Sequence, residues 1–278
     1  MNFIYEEFDN INHLLSTLEK RPKNEFMEDE DSSEREDIEF FGTKSYEEAT
    51  NLLKFGYSEH LSEIKSVVRK NNLISFSDFN KKRIPKNMVL GFVPNVPNAI
   101  RNIPESMINV DRSSQKKKVM KIIYSIAGSC GVNKEVFIKA GIALVSAINI
   151  IELSGIQTQL NVGFSSSCEG SGESKEILCP VLRIKNFGER FNLEKICFPI
   201  IHPSMFRRIG FKYIETCPKM TKDFSCGYGK PAKLDELREQ LNENENKSNI
   251  PTKILDTAFI RNNDYDIEEI LKELGFTD

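Results

Sequence analysis

The chain has no tryptophan, and its three histidines, His13, His60 and His202, stand far apart among 278 residues. Six cysteines, at 130, 168, 179, 197, 217 and 226, form no C-x-x-C pair. Zinc sites draw on closely spaced ligands, so the spacing argues against a Cys/His metal cage. The fingerprints G-x-G-x-x-G, G-x-x-x-x-G-K-[ST] and G-x-S-x-G are all missing. Their absence leaves dinucleotide binding, P-loop chemistry and a nucleophile elbow without a sequence signal. The formal charge of −3 gives the whole chain no electrostatic case for nucleic acid. No apolar run reaches the roughly 18 residues of a membrane span without polar interruption. The nearest, 134–153, carries Lys134, Glu135, Lys139, Asn149 and Glu152 and reads as a buried core helix. The first residues, Met1-Asn2-Phe3-Ile4-Tyr5-Glu6-Glu7, lack the basic and apolar regions of a secretion signal, so reduced thiols in a cytoplasm are expected.

What is present is concentrated in residues 118–167. Val119 to Ile126 has the β-branched and aromatic content of a buried strand, and 127–131 is a small, turn-prone Ala-Gly-Ser-Cys-Gly. Asn133 is placed to cap a helix whose apolar positions Val136, Phe137, Ala140, Leu144, Ala147, Ile148 and Ile151 recur at helical spacing, and Gly155 stops it. Residues 157–164 form a second strand, followed by Ser165, Ser166 and Ser167. A strand–loop–helix–strand unit of this kind predicts a three-layer α/β centre of Rossmann-like type.

The flanks read less clearly. Phe3, Ile4, Phe8, Ile11, Leu14, Leu15 and Leu18 suit one amphipathic helix over 1–20. The acidic stretch 28–39 suits a solvated loop. Ser45-Tyr46-Glu47-Glu48 is a capping box opening a helix that Gly56 interrupts. Four prolines within 85–112 predict an extended, packed connector with short helical turns after it. The expected division is a helical extension and proline-rich connector over 1–112, then an α/β domain over 113–278. Within that domain, 165–174 reads as a flexible polar loop, 181–184 and 196–200 as strands, and a helix starts at Ser204. Residues 227–231 read as a turn, 234–241 as a helix, 253–260 as a strand, and 267–274 as a closing helix that Gly275 ends.

Ligands of open α/β sheets lie beyond the carboxyl ends of strands, which points to loop 125–131. Here Ser125-Ile126-Ala127-Gly128-Ser129 resembles the von Willebrand factor A-like fold, whose D-x-S-x-S loop follows the first strand and holds a divalent cation. An apolar helix and a strand ending as Asn161-Val162-Gly163-Phe164-Ser165 does here complete that resemblance. Only Ser129 matches outright: Ser125 replaces the aspartate and Ala127 the first serine. Losing the anionic ligand removes most of the attraction for Mg²⁺. The expectation is therefore no cofactor, with Mg²⁺ at Ser129 as the alternative. The chain also resembles an uncharacterised group of phage-encoded proteins that share the Val-Pro-Asn-Val-Pro and Ile-Pro-Glu-Ser-Met flavour ahead of an A-like core.

Ser165 to Ser167 with His202 and Asp223 or Asp256 make a triad only on paper. Cys130 sits at a strand-to-helix turn and reads first as a small buried thiol. Arg207 and Arg208 with His202 form the best basic cluster for a phosphate or carboxylate, with helix anchoring by stem packing as the competing role. The resulting expectation is a non-enzymatic interaction module of phage or prophage origin. It docks a protein partner through Ser125, Ser129, Cys130, Asn133, Ser165 and Ser166, together with His202, Arg207 and Arg208. A nucleotide- or metal-dependent enzyme using the same face is one alternative. The other is a nucleic-acid binder using 81–86, 116–118 and 207–212. No membrane association is expected.

Overall fold

A computed structural model describes residues 2–27, 31–71, 85–110, 118–169, 175–221, 227–245 and 250–276. The chain opens with strand β1 (Asn2–Phe8) and helices α1 (Ile11–Lys20), α2 (Ile38–Phe41), α3 (Tyr46–Phe55) and α4 (Leu61–Asn71). A separate compact unit, Ile74–Lys118, holds strands β2 (Pro85–Met88) and β3 (Val93–Pro94), helix α5 (Val96–Ile100) and strand β4 (Met107–Val110). The chain then continues through β5 (Val119–Ser125), α6 (Lys134–Leu153), β6 (Gln157–Gly163), β7 (Ser166–Glu169) and β8 (Lys175–Lys185). It ends with α7 (Leu193–Ile201), a π-helical turn over Met205–Gly210, α8 (Phe211–Thr216), β9 (Lys230–Pro231), α9 (Leu234–Glu245), β10 (Thr252–Asp256), α10 (Thr257–Asn262) and α11 (Ile267–Glu273).

The compact units are drawn differently from the expected boundary at 112. Residues Met1–Leu73 belong with Val119–Asp278, because β1 is a strand of the main sheet rather than part of a helix. It pairs in parallel with β8, Asn2 opposite Glu176 through Phe8 opposite Leu182. Ile4 and Phe8 are buried at even spacing, as a strand requires, and the helical pattern starts only after Asn10, whose side chain accepts from the His13 amide.

The main sheet runs β10-β5-β6-β8-β7-β9, with β1 on β8. Strands β10, β5 and β6 are parallel, and β8 turns antiparallel to β6 and β7. The residue sums of the pairs Gly163–Val181 and Ser166–Leu178 are equal, so β6 and β7 lie on one continuous register against β8. Pro180 has no N–H to donate, and the ladder is interrupted opposite it. The Phe164 amide bridges the gap, donating to the Pro180 carbonyl at 3.2 Å.

One sheet face is covered by α9. Leu237 and Leu241 pack with Ile123, Ile177, Cys179, Val181 and Ile254. The other face carries α1, α6 and α7, which contact β8 and β6, and the ring of Tyr213 from α8 meets Phe8 and Phe164 edge-on. Helix α6 is long and apolar enough to cross a membrane by length and composition, yet twelve of its residues are buried in this fold. Its interior glycine, Gly141, lets it approach α7 closely: a Cβ there would lie 2.6 Å from Ile201 Cα and 2.7 Å from the Ile200 carbonyl oxygen.

Four local expectations change. The strand expected over 253–260 ends at Asp256, which caps helix α10 by accepting from the Phe259 amide. Residues 196–200 form α7 rather than a strand. Asn192 caps it by accepting from the Lys195 amide, and burial of 196–201 on all sides erases the periodicity that separates a buried helix from a buried strand. Ser165 to Ser167 are buried, and 166–169 is a strand instead of a flexible loop; residues 170–174 lie outside the described residues. The acidic segment is pinned at Ser32, whose amide donates to the buried Glu215 carboxylate at 2.7 Å.

Candidate functional site

Beyond the carboxyl ends of β5 and β10 lies an open cleft of about 560 Å³. This is where the chain leaves β5 toward β6 on one side while β10 sits on the other, the position at which open α/β sheets take their ligands. One wall is Ser125, Ala127, Gly128, Ser129 and Val132, the turn read from sequence as the sheet's rim. Opposite it stand Asp256, Phe259, Arg261 and Asn262 from β10 and α10, with Lys233 and Arg238 at the start of α9.

The floor is fixed by hydroxyls. Ser125 and Ser165 share a hydrogen bond of 2.7 Å between their Oγ atoms, at the point where Pro180 interrupts the ladder. Tyr124 and Thr257 hydroxyls meet at 2.9 Å, and Thr257 also donates to the Ser125 carbonyl. Gly128 makes room for the ring of Phe137, which a Cβ would meet at 2.5 Å. Asp256 caps α10 by accepting from the Phe259 amide at 2.6 Å, while burial raises its carboxyl above the ordinary range. Arg238 spans the side wall, donating to the Ile254 carbonyl and pairing with Glu273 at 2.6 Å.

The structure distributes the sequence-selected residues unequally. Ser129 lines the cleft and is exposed, and Cys130 and Asn133 are exposed but outside its lining, so Cys130 is not the buried thiol expected. Asn133 occupies the N-cap position of α6, though its side chain makes no capping bond. Ser166 and Ser167 spend their hydroxyls on the carbonyls of Tyr228 and Lys230. His202 is buried, stacked on Phe198 and edge-on to Tyr57, and its Nδ1 accepts from the Ser204 amide. These commitments leave the paper triad unassembled, and Asp223 lies outside the described residues.

Arg207 and Arg208 are internal fasteners in place of an anion site. Arg207 donates to the carbonyls of Phe40 at 2.7 Å and Val132 at 2.5 Å, with its guanidinium over the rings of Phe40 and Phe137. Burial pulls its pKa down to about 10. Arg208 reaches the carbonyls of Ser32, Thr43 and Lys44 and lies over Phe41. The loop that carries Ser129 is thus tied through Arg207 to the segment before α3. Of the other basic clusters, 81–84 and 116–117 lie outside the described residues. Asp256, Phe259, Arg238 and Arg261 were not singled out together from sequence. The available signal was Asp256-Thr257 as a helix cap, hidden by reading 253–260 as one strand.

The fold and cleft define a mixed α/β protein with an open crevice at the carboxyl ends of its parallel strands. The chain belongs to the family described as Domain of unknown function (DUF7192), whose model matches residues 2–278. No curated protein and no solved structure matches it.

Proposed function

We propose that the protein is a non-enzymatic interaction module that docks a protein partner in the cleft between β5 and β10. The observation that carries this reading is the lining. Apolar Ala127, Val132, Ala258 and Phe259 share the lining of this open cleft of about 560 Å³ with Ser129, Lys233, Asp235, Arg261 and Asn262, a mixture of the kind found at protein interfaces. The β5–loop–α6–β6 unit, with Ser129 at its mouth, supports reading the core as a degenerate von Willebrand factor A-like domain. The Val-Pro-Asn-Val-Pro resemblance supports a phage or prophage source, and the unpaired thiols of Cys130, Cys179, Cys197 and Cys217 suit a reducing cytoplasm.

The test places a photo-cross-linking residue at position 129, 258 or 153 in the full chain within the cells that make it. Positions 129 and 258 face the cleft and are exposed, and Leu153 is exposed at the opposite end of α6. The same discrete adduct from 129 and 258, absent from 153, is expected. No adduct, or one shared equally by 153, overturns the reading. For the cation, calorimetry with Mg²⁺ should give equal heats for wild type and Ser129→Ala. A heat present in wild type and lost in the variant overturns a cofactor-free loop.

A further inference from the structure

The unit Ile74–Lys118 contains an antiparallel ribbon in the order β2-β4-β3, followed after β3 by the short α5. Its sequence from Asn87 to Ile100, N-M-V-L-G-F-V-P-N-V-P-N-A-I, carries no charged residue. Within this stretch Leu90 is 80 % exposed, Ile100 78 %, and Val89 and Phe92 65 % each. Of the twelve large hydrophobics exposed among the described residues, eight fall within 88–103. Such a concentration is unlike the scattered single apolar residues normal on a protein surface.

We infer that this ribbon is a self-association surface, and that its occupant is the same ribbon of a second copy of the chain. Two observations select that occupant. The first is chemical. The stretch from Asn87 to Ile100 is uncharged, with Lys86 and Arg101 only at its ends, so over most of its length it has nothing to pair with a charged partner, and burying a partner's charge against it would cost free energy without return. The remaining exposed large hydrophobics, Phe26, Ile38, Phe55 and Leu153, are spread over other elements and form no matching face. The same apolar surface exists on another copy, and a two-fold contact places like patches together.

The second is size. Eight large apolar side chains at these exposures present roughly 800 Å², the area that each partner of a standard-size complex contributes. The ribbon's edges favour side-chain contact over strand addition. Pro94 in β3 has no N–H to offer, and Pro85 opens β2. Leu90, in the turn between β2 and β3, and Ile100, at the end of α5, are the most exposed of the set and serve as its anchors.

Sedimentation velocity on the full chain, from about 1 to 100 μM, tests this. A monomer–dimer equilibrium is expected, and Leu90→Asp with Ile100→Asp should weaken it by at least 100-fold. Both positions are solvent-exposed, so far-ultraviolet dichroism and the melting temperature should stay at wild-type values. Those readings separate lost association from lost folding. A wild type that is monomeric throughout, including one that associates only with a different protein, overturns the inference. So does a dimer that the double substitution leaves intact. Should the double variant melt early, the milder Val96→Ser and Phe92→Ser, read the same way, decide the matter. Neither ribbon position lines the cleft, so failure here leaves the cleft reading standing and the reverse also holds.

Discussion

Buried Lys185 and partly buried Glu152 form an ion pair, Nζ to Oε1 at 2.8 Å, that closes three elements at one point. The same ammonium donates to the carbonyls of Thr158 and Asn186, and the same carboxylate accepts from the Thr158 amide at 2.8 Å. The end of α6, the start of β6 and the end of β8 are fastened there. Removing Lys185 leaves the partly buried Glu152 carboxylate without its cation. Lys185→Met should therefore lower unfolding free energy by about 1–3 kcal/mol in urea titration, and Lys185→Met with Glu152→Leu should recover much of it. A single variant as stable as wild type would show the pair to be idle.

Arg208 holds carbonyls on both sides of α2 with one planar fork, a geometry that lysine cannot reproduce. Arg208→Lys is expected to destabilise by about 2–3 kcal/mol, because acceptors at Ser32 and Thr43 lose a charged donor. Ser129→Ala, at the exposed mouth, should leave the same midpoint unchanged. Equal midpoints for all three proteins would contradict the fastening role.

Stability should fall as pH drops from 6.5 toward 4, and His202 is the reason. Burial pushes its pKa down to about 4, with Glu59 opposing the shift and His60 reinforcing it. Between these values the unfolded chain binds a proton that the folded one refuses. The stability is complete above pH 6.5, and about 3 kcal/mol of it is gone by pH 4. Glu6 and Glu7, pushed up by burial but held on balance below the ordinary carboxylate range by Arg21 and Arg183, add their losses as pH falls below about 4.5. Denaturant midpoints from pH 7 to 5 should therefore be markedly flatter for His202→Phe than for wild type. An identical slope would exclude His202 as the source.

Gly141→Ala sets helix propensity against space. Alanine favours an isolated helix by nearly 1 kcal/mol, but the added methyl would meet backbone atoms of α7. Overpacking should win, with a net loss of about 1–3 kcal/mol in thermal unfolding. A rise in melting temperature would mean that α7 yields easily.

The parts legible in the sequence are those whose signal is local. Ser45 accepts from the Glu48 amide as its capping box requires, Glu48 answers to Lys44, and Gly155 and Gly275 end their helices with positive φ. The β5–α6–β6 unit, and with it one wall of the cleft, follows from a run of alternating chemistry. What stayed hidden depends on partners remote in sequence. Residues 2–8 become a strand because 176–182 offers an edge, and Ser165 is buried because Ser125 and the gap at Pro180 receive it. The far wall was missed because Asp256 both ends a strand and caps a helix, two roles that one residue type cannot announce.

The pairing of β1 with β8 also has a kinetic meaning. Strand β1 finds its neighbour only after some 170 further residues have been made, many seconds later at ordinary elongation rates. Until then Ile4 and Phe8 lack the strand that covers them in the fold. Slowing translation between Phe8 and Glu176 should lengthen that vulnerable interval and lower the yield of folded chain.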